Sequence, residues 1–160
     1  MRGHWIWALG LWLGLSASGT DQAEGTASDS SPLQIDVTGY RFRWHVRYPG
    51  ADAQLGTKDD AWGERDVRVP TDQEVELILH SRDYLYSLAL PHLALKEIAV
   101  PDLSFLIKLA PQPVGSFELR GDQFCGYSHA ELIGELLVMP RAEFESWTAE
   151  RSGNKGGLPD

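Results

Sequence analysis

Apolar residues recur at every second position through most of this chain, the signature of strands with one buried face. Phe42, Trp44, Val46 and Tyr48 alternate with Arg41, Arg43, His45 and Arg47, which predicts a strand with an aromatic inner face and a basic outer face. Ile35 and Val37 carry the opposite parity. The phase therefore has to change near Gly39–Tyr40, where a glycine inside a strand suits a bulge. Val75, Leu77 and Leu79 predict a further strand, as do Tyr84, Tyr86, Leu88 and Leu90, and then Leu103, Phe105, Ile107 and Leu109. Residues 114–119 and 134–139 complete the set, punctuated by Pro49–Gly50, Pro70–Thr71–Asp72, Pro101–Asp102 and Pro111–Gln112–Pro113. Only Pro140 to Glu150 reads as a helix, opened by proline and carrying Phe144 and Trp147 three apart. Many short strands at this spacing argue for an antiparallel sandwich or barrel.

The two ends of the chain differ from this core. Arg2 precedes the apolar run Trp5–Leu15, which is followed by Ser16, Ala17 and Ser18. That run is too short for the ~20 residues a spanning helix needs and suits the apolar part of an export signal. Residues 1–18 are accordingly expected to be a signal peptide, with a short anchor as the alternative. Residues 19–32 have the composition of a flexible linker and residues 151–160 that of a fraying tail. One domain over residues 33–150 remains, placed in the periplasm or on the extracytoplasmic face of a membrane.

Charge and cysteine content narrow the chemistry. Fourteen Lys and Arg against 23 Asp and Glu leave a formal charge of -9 over 160 residues, which supplies no footprint for gripping nucleic acid. Against that balance, the row Arg41, Arg43, His45 and Arg47 reads as a solvated face or as a docking strip for an acidic partner. The aromatic residues Trp44, Tyr48, Tyr84, Tyr86 and Trp147 are core candidates. The single cysteine, Cys125, excludes an intrachain disulfide and any four-cysteine metal site. No phosphate-cradling loop, nucleophile elbow or HExxH sequence is present, so the chain is not expected to be catalytic on its own. Cys125 and His129 lie four apart between two predicted strands, and thiolate with imidazole is a donor pair that copper favours. A buried free cysteine beside a hydrogen-bonded loop histidine is the competing reading.

From Val67 to Trp147 the chain resembles the copper-binding domain of cytochrome c oxidase subunit II. The matching landmarks are Val69–Pro70–Thr71, Ser81 to Ser87, Leu90–Pro91, Lys96, Gly115–Ser116–Phe117, Cys125 to Ala130 and Glu143 to Trp147, with Arg43–Trp44 and Tyr48–Pro49–Gly50 upstream. The resemblance implies an all-β, cupredoxin-like Greek-key sandwich or barrel with a short C-terminal helix. It also implies a dinuclear copper centre, CuA, held by a histidine in the motif resembling Asp83 to Ser87, two cysteines four apart, a second histidine, a methionine and one backbone carbonyl. In this chain Tyr86 stands in place of the first histidine, Gly121 of the first cysteine, Gln123 of the carbonyl donor and Leu132 of the methionine. Only Cys125 and His129 are retained. Two bridging thiolates hold the paired coppers, so one cysteine excludes the dinuclear centre.

For a single copper, a second imidazole is wanted. His80 and His92 each lie six residues from Tyr86, and His45 falls on the predicted outer face. A Tyr86 phenolate is disfavoured because tyrosine titrates near 10. Two functions follow from the resemblance. The first is a non-catalytic accessory or structural subunit that docks on a haem-copper oxidase-type membrane complex, as the copper-free subunit II of quinol oxidases does. The alternative is a mononuclear copper-binding electron-transfer or copper-handling protein using Cys125 and His129, with a c-type cytochrome as a candidate partner. The cofactor expectation is none or one copper ion.

Overall fold

The computed structural model describes residues 31–123, 126–127 and 129–153. The export-signal reading, Cys125 and the last seven residues of the chain lie outside the described residues. Ten strands form among the described residues: β1 Leu33–Tyr40, β2 Arg43–Tyr48, β3 Ala61–Glu64, β4 Val67–Pro70, β5 Val75–Ser81, β6 Tyr86–Leu90, β7 Leu95–Ala99, β8 Phe105–Leu109, β9 Gly115–Gln123 and β10 Gly134–Met139. One helix, α1, spans Arg141–Arg151. The strands make two five-stranded sheets, in the orders β3-β2-β1-β5-β8 and β4-β10-β9-β6-β7. Their facing sides supply one core, in which Ile35, Trp44, Leu77 and Leu79 of the first sheet meet Tyr86, Leu88, Leu119 and Leu136 of the second. This is the expected cupredoxin-like sandwich.

Several details correct the expectation. The sandwich is not wholly antiparallel, because β1 pairs with β5 and β4 with β10 in parallel. Strands β3 and β4 carry only four residues each, and the β7 sequence Leu-Lys-Glu-Ile-Ala does not alternate, so none of the three stands out from the loops. The parity change before Trp44 is a hairpin and not a bulge: β1 and β2 pair antiparallel up to Tyr40 opposite Arg43, leaving Arg41 and Phe42 as the turn. Both turn residues are left-handed, with φ of 49° and 60°, as a two-residue primed turn requires. Asn-Gly is the usual sequence for such a turn, and Arg-Phe gives no such signal. Its exposed amides are satisfied from elsewhere: Arg41 N–H donates to Asp83 Oδ2 at 2.8 Å and Phe42 N–H to the Tyr86 hydroxyl at 3.2 Å. Tyr84 and Leu103 fall outside their strands and are exposed, at 49% and 55%.

The far end of the sandwich is closed by α1. Pro140 caps its start, and Phe144 is buried with Trp147 beside it against Tyr48, whose ring lies 4.9 Å from that of Trp147. The Tyr48 hydroxyl accepts the Arg68 N–H at 2.9 Å, so this buried phenol is not left unpaired. Among the described residues no helix is long and apolar enough to cross a membrane.

Candidate metal centre

Of the positions that the resemblance singled out, Tyr86, Gly121, Gln123, His129 and Leu132 are described, and they gather at the opposite end, around the β1–β2 turn. Strand β9 runs to Gln123, longer than its alternation predicts, so Gly121 sits within a strand opposite Leu88 of β6. A β-carbon at Gly121 would stand 2.5 Å from both the Leu132 carbonyl oxygen and Trp44 Nε1. That space is filled by a buried hydrogen bond, in which the Trp44 indole donates to the Leu132 carbonyl across 3.0 Å. The Leu132 side chain itself is fully buried.

Gln123 is engaged through its backbone on both sides. Its carbonyl accepts the Gly126 N–H at 2.8 Å and its N–H donates to the Tyr127 carbonyl at 3.0 Å, closing a turn. Tyr86 is fully buried, and its hydroxyl donates to Asp83 Oδ1 at 2.7 Å. Burial first, and then this hydrogen bond to a carboxylate, push the phenol well above its ordinary range. The phenolate that a metal would want is therefore strongly disfavoured. Its ring also packs on Gly39, where a β-carbon would collide with it.

His129 is half-buried. Its ring stacks on Phe42 at 4.3 Å and 24°, and Phe42 stacks in turn on Tyr84 at 5.3 Å and 15°. Phe42 was expected in an inner strand face, and the hairpin turn instead hands it to His129. Among the described residues no other histidine joins this end as a donor. His80 Nε2 lies 3.1 Å from Asp36 Oδ1 and 2.9 Å from Thr38 Oγ1, within the first sheet. His92 stacks on Phe117 at 4.3 Å. His45, expected on a solvated face, is only 8% exposed, and burial pushes its imidazole below the ordinary range while Glu64 opposes that shift. Among the described residues no group of three or more His, Cys, Asp or Glu side chains is placed to hold a metal.

Sequence reading missed Asp83, which accepts from Arg41 N–H, Tyr84 N–H and the Tyr86 hydroxyl and so ties two loops together. It also missed a polar cluster on the outer face of the first sheet. There Thr38 Oγ1 donates to Asp36 Oδ1 at 2.8 Å, and Arg47 reaches Asp36 at 3.3 Å and the buried Asp60 at 3.7 Å. The spacing gave no signal for either, because each is assembled from separate strands.

No protein-family model matches the chain. Among curated proteins it is 23% identical over 140 residues to the alternative cytochrome c oxidase subunit 2 of Bradyrhizobium diazoefficiens, covering 74% of this chain and 50% of that protein. It is 30% identical over 115 residues to cytochrome c oxidase subunit 2 of Alkalihalophilus pseudofirmus, covering 72% of this chain and 31% of that protein. The chain thus spans half or less of the length of these relatives. Its fold matches the periplasmic domain of subunit II of cytochrome oxidase, CoxB, from Bradyrhizobium japonicum, with a TM-score of 0.63 and 20% identity over 76% of this chain and 94% of that domain.

Proposed function

From a chain related to cytochrome c oxidase subunit 2 over about three quarters of its length, we propose an extracytoplasmic subunit II-like domain that does not form a CuA centre and serves as a non-catalytic accessory or structural subunit of a haem-copper-type respiratory complex. The observation that carries the metal part of this reading is Gly121. The position resembling a bridging cysteine offers no sulfur, and its β-carbon space is taken by the Trp44–Leu132 hydrogen bond. The other departures point the same way. Tyr86 is committed to Asp83 and Phe42, the Gln123 carbonyl to Gly126, and Leu132 to the core. The residues present do not fit a dinuclear copper centre.

The test joins both halves of the reading. The full chain, tagged at its C-terminus, is purified from native membranes in mild detergent. Co-purification of haem-copper oxidase subunits, with no dinuclear mixed-valence copper signal from this chain, is the expected result. Two coppers per chain sharing one unpaired electron would overturn the metal part, and absence of any oxidase subunit would overturn the assignment to a complex.

One observation favours the second reading, a single copper at Cys125 and His129. The His129 ring stacks on Phe42 and its backbone carbonyl accepts the Leu132 N–H at 2.9 Å, and among the described residues no hydrogen bond competes for the ring nitrogens as ligands.

A further inference from the structure

The arginines of this domain are not equivalent. Arg43 reaches Glu64 at 2.8 Å and Glu131 at 3.4 Å, Arg47 reaches Asp36 and Asp60, and Arg65, Arg120 and Arg141 each have a carboxylate within 3.4 Å. The basic row of β2 is thereby neutralised along most of its length, and His45 is buried beneath it. Arg68 and Arg151 have no ion pair among the described residues and lie over the Trp147 ring at the α1 end, and Arg41 and Arg82 make a second such pair at the opposite end. Both are exposed, neither has an ion pair among the described residues, and their guanidinium carbons lie 4.9 and 5.2 Å from the centroid of one ring, Tyr40. The nearest acid in sequence, Asp83, is already occupied by two backbone N–H groups and the Tyr86 hydroxyl.

Beside these arginines the surface is apolar. Tyr84, Leu85 and Tyr127 are 49%, 40% and 72% exposed, and Tyr84 stacks on Phe42, the residue after Arg41. Aromatic side chains with arginines, and with few free carboxylates, are the composition that distinguishes the centre of a protein interface from ordinary surface. Stacking on Tyr40 holds the guanidinium groups in place before binding, which reduces the entropy cost of ordering them. Guanidinium forks match carboxylates in a planar, two-point fashion.

We infer that this end of the sandwich, with Tyr84, Leu85 and Tyr127 at its centre and Arg41 and Arg82 at its rim, docks a protein surface that presents carboxylates around an apolar spot. A protein occupant is favoured over an anionic membrane by charge. The chain carries a formal charge of -9, and a bilayer would set its own negative field against the whole face. A protein can set a few carboxylates against the two guanidinium groups without that extended field. The inference does not depend on copper, so it survives or fails separately from the function proposed above.

The test is a titration of isotope-labelled full chain, read by backbone amide shifts, with three probes. These are a short peptide in which glutamates flank two leucines, the same peptide with lysines for glutamates, and phosphatidylglycerol vesicles. The glutamate peptide is expected to shift residues 40–43, 82–85 and 127–129, and the lysine peptide to leave them unmoved. The double variant Arg41→Glu, Arg82→Glu should weaken the glutamate peptide more than tenfold while its melting curve stays that of the wild type. Tyr40→Leu, which frees both guanidinium groups without removing their charge, should weaken it less. Equal effects from both peptides, no effect from either, or binding to the vesicles alone would each overturn the inference.

Discussion

The indole Nε1–H of Trp44 donates to the backbone carbonyl of Leu132 across 88 residues of sequence, at 3.0 Å and away from solvent. The bond ties β2 of the first sheet to the segment that leads into β10 of the second, at the end where the aligned ligand positions gather. It occupies the space into which a side chain at Gly121 would grow.

Two substitutions test this arrangement as a structural element. Trp44→Phe keeps most of the apolar volume and leaves the Leu132 carbonyl buried and unpaired, which should cost about 1–3 kcal/mol. Gly121→Ala places a methyl group 2.5 Å from both partners of the bond and should cost about 1–3 kcal/mol through overpacking. Urea denaturation at constant slope reads both values. A loss below about 0.5 kcal/mol in both variants would show that this end is looser than its geometry implies.

Tyr86 gives a prediction with two readouts. Tyr86→Phe removes the donor to Asp83 Oδ1 and the acceptor of Phe42 N–H, so the left-handed turn loses one of its two anchors. A destabilisation of about 1–3 kcal/mol is expected for a buried network missing one member. Tyr86→His is expected to show a comparable loss of stability together with tighter Cu(II) binding, because it restores an imidazole near His129. Unchanged Cu(II) affinity in a folded Tyr86→His protein would show that position 86 is not a copper-ligand position in this chain.

Two titrations should be visible in stability against pH, in different windows. Burial pushes the His45 imidazole below the ordinary value of 6.5, so around pH 6 the unfolded chain binds the proton that the folded chain refuses. Stability contributed by this group is full above the unfolded value and falls as the pH drops through 6.5. His45→Gln should flatten that slope. Burial acts to raise the Asp36 carboxyl, but hydrogen bonds from His80 and Thr38 and the charges of His80 and Arg47 together hold it below the ordinary value of 3.8. Its contribution is therefore present above that value and lost at lower pH, and Asp36→Asn should remove the acid limb alone. Thermal melts between about pH 3 and 8 distinguish the two, since surveyed carboxyl and imidazole groups titrate in separate ranges. A single transition common to both variants would contradict the assignment.

The strands whose alternation is long and regular were legible from sequence, as Val75, Leu77 and Leu79 in β5 and Phe105, Ile107 and Leu109 in β8 show. The turn at Arg41–Phe42 was not, because a primed turn made of two side-chain-bearing residues depends on acceptors supplied by Asp83 and Tyr86, more than forty residues away. Parallel pairing of β1 with β5 is hidden for the same reason: alternation gives a strand's buried face, but not its neighbour. At the candidate centre, spacing named only Cys125 and His129, and Tyr86, Gly121, Gln123 and Leu132 came from the resemblance to subunit II. What fills the place of the missing ligands, Trp44 against Leu132 and Phe42 against His129, follows only from how three loops meet.

The retained thiol and imidazole can be tested directly. If Cys125 and His129 bind one copper, they supply half of a cupredoxin-type ligand set, and Cu(I), which accepts soft ligands and low coordination numbers, should be preferred over Cu(II). Competition with a Cu(I) chelator measures this. Cys125→Ser and His129→Ala should each weaken Cu(I) binding by more than tenfold, about 1.4 kcal/mol. Phe42→Leu provides the control that separates ligand from packing: it removes the ring on which His129 stacks while leaving both donors in place, so its effect on copper should be smaller than that of His129→Ala. Wild-type protein that holds no more Cu(I) than Cys125→Ser would end the copper-handling reading, and the accessory-subunit reading would then stand alone.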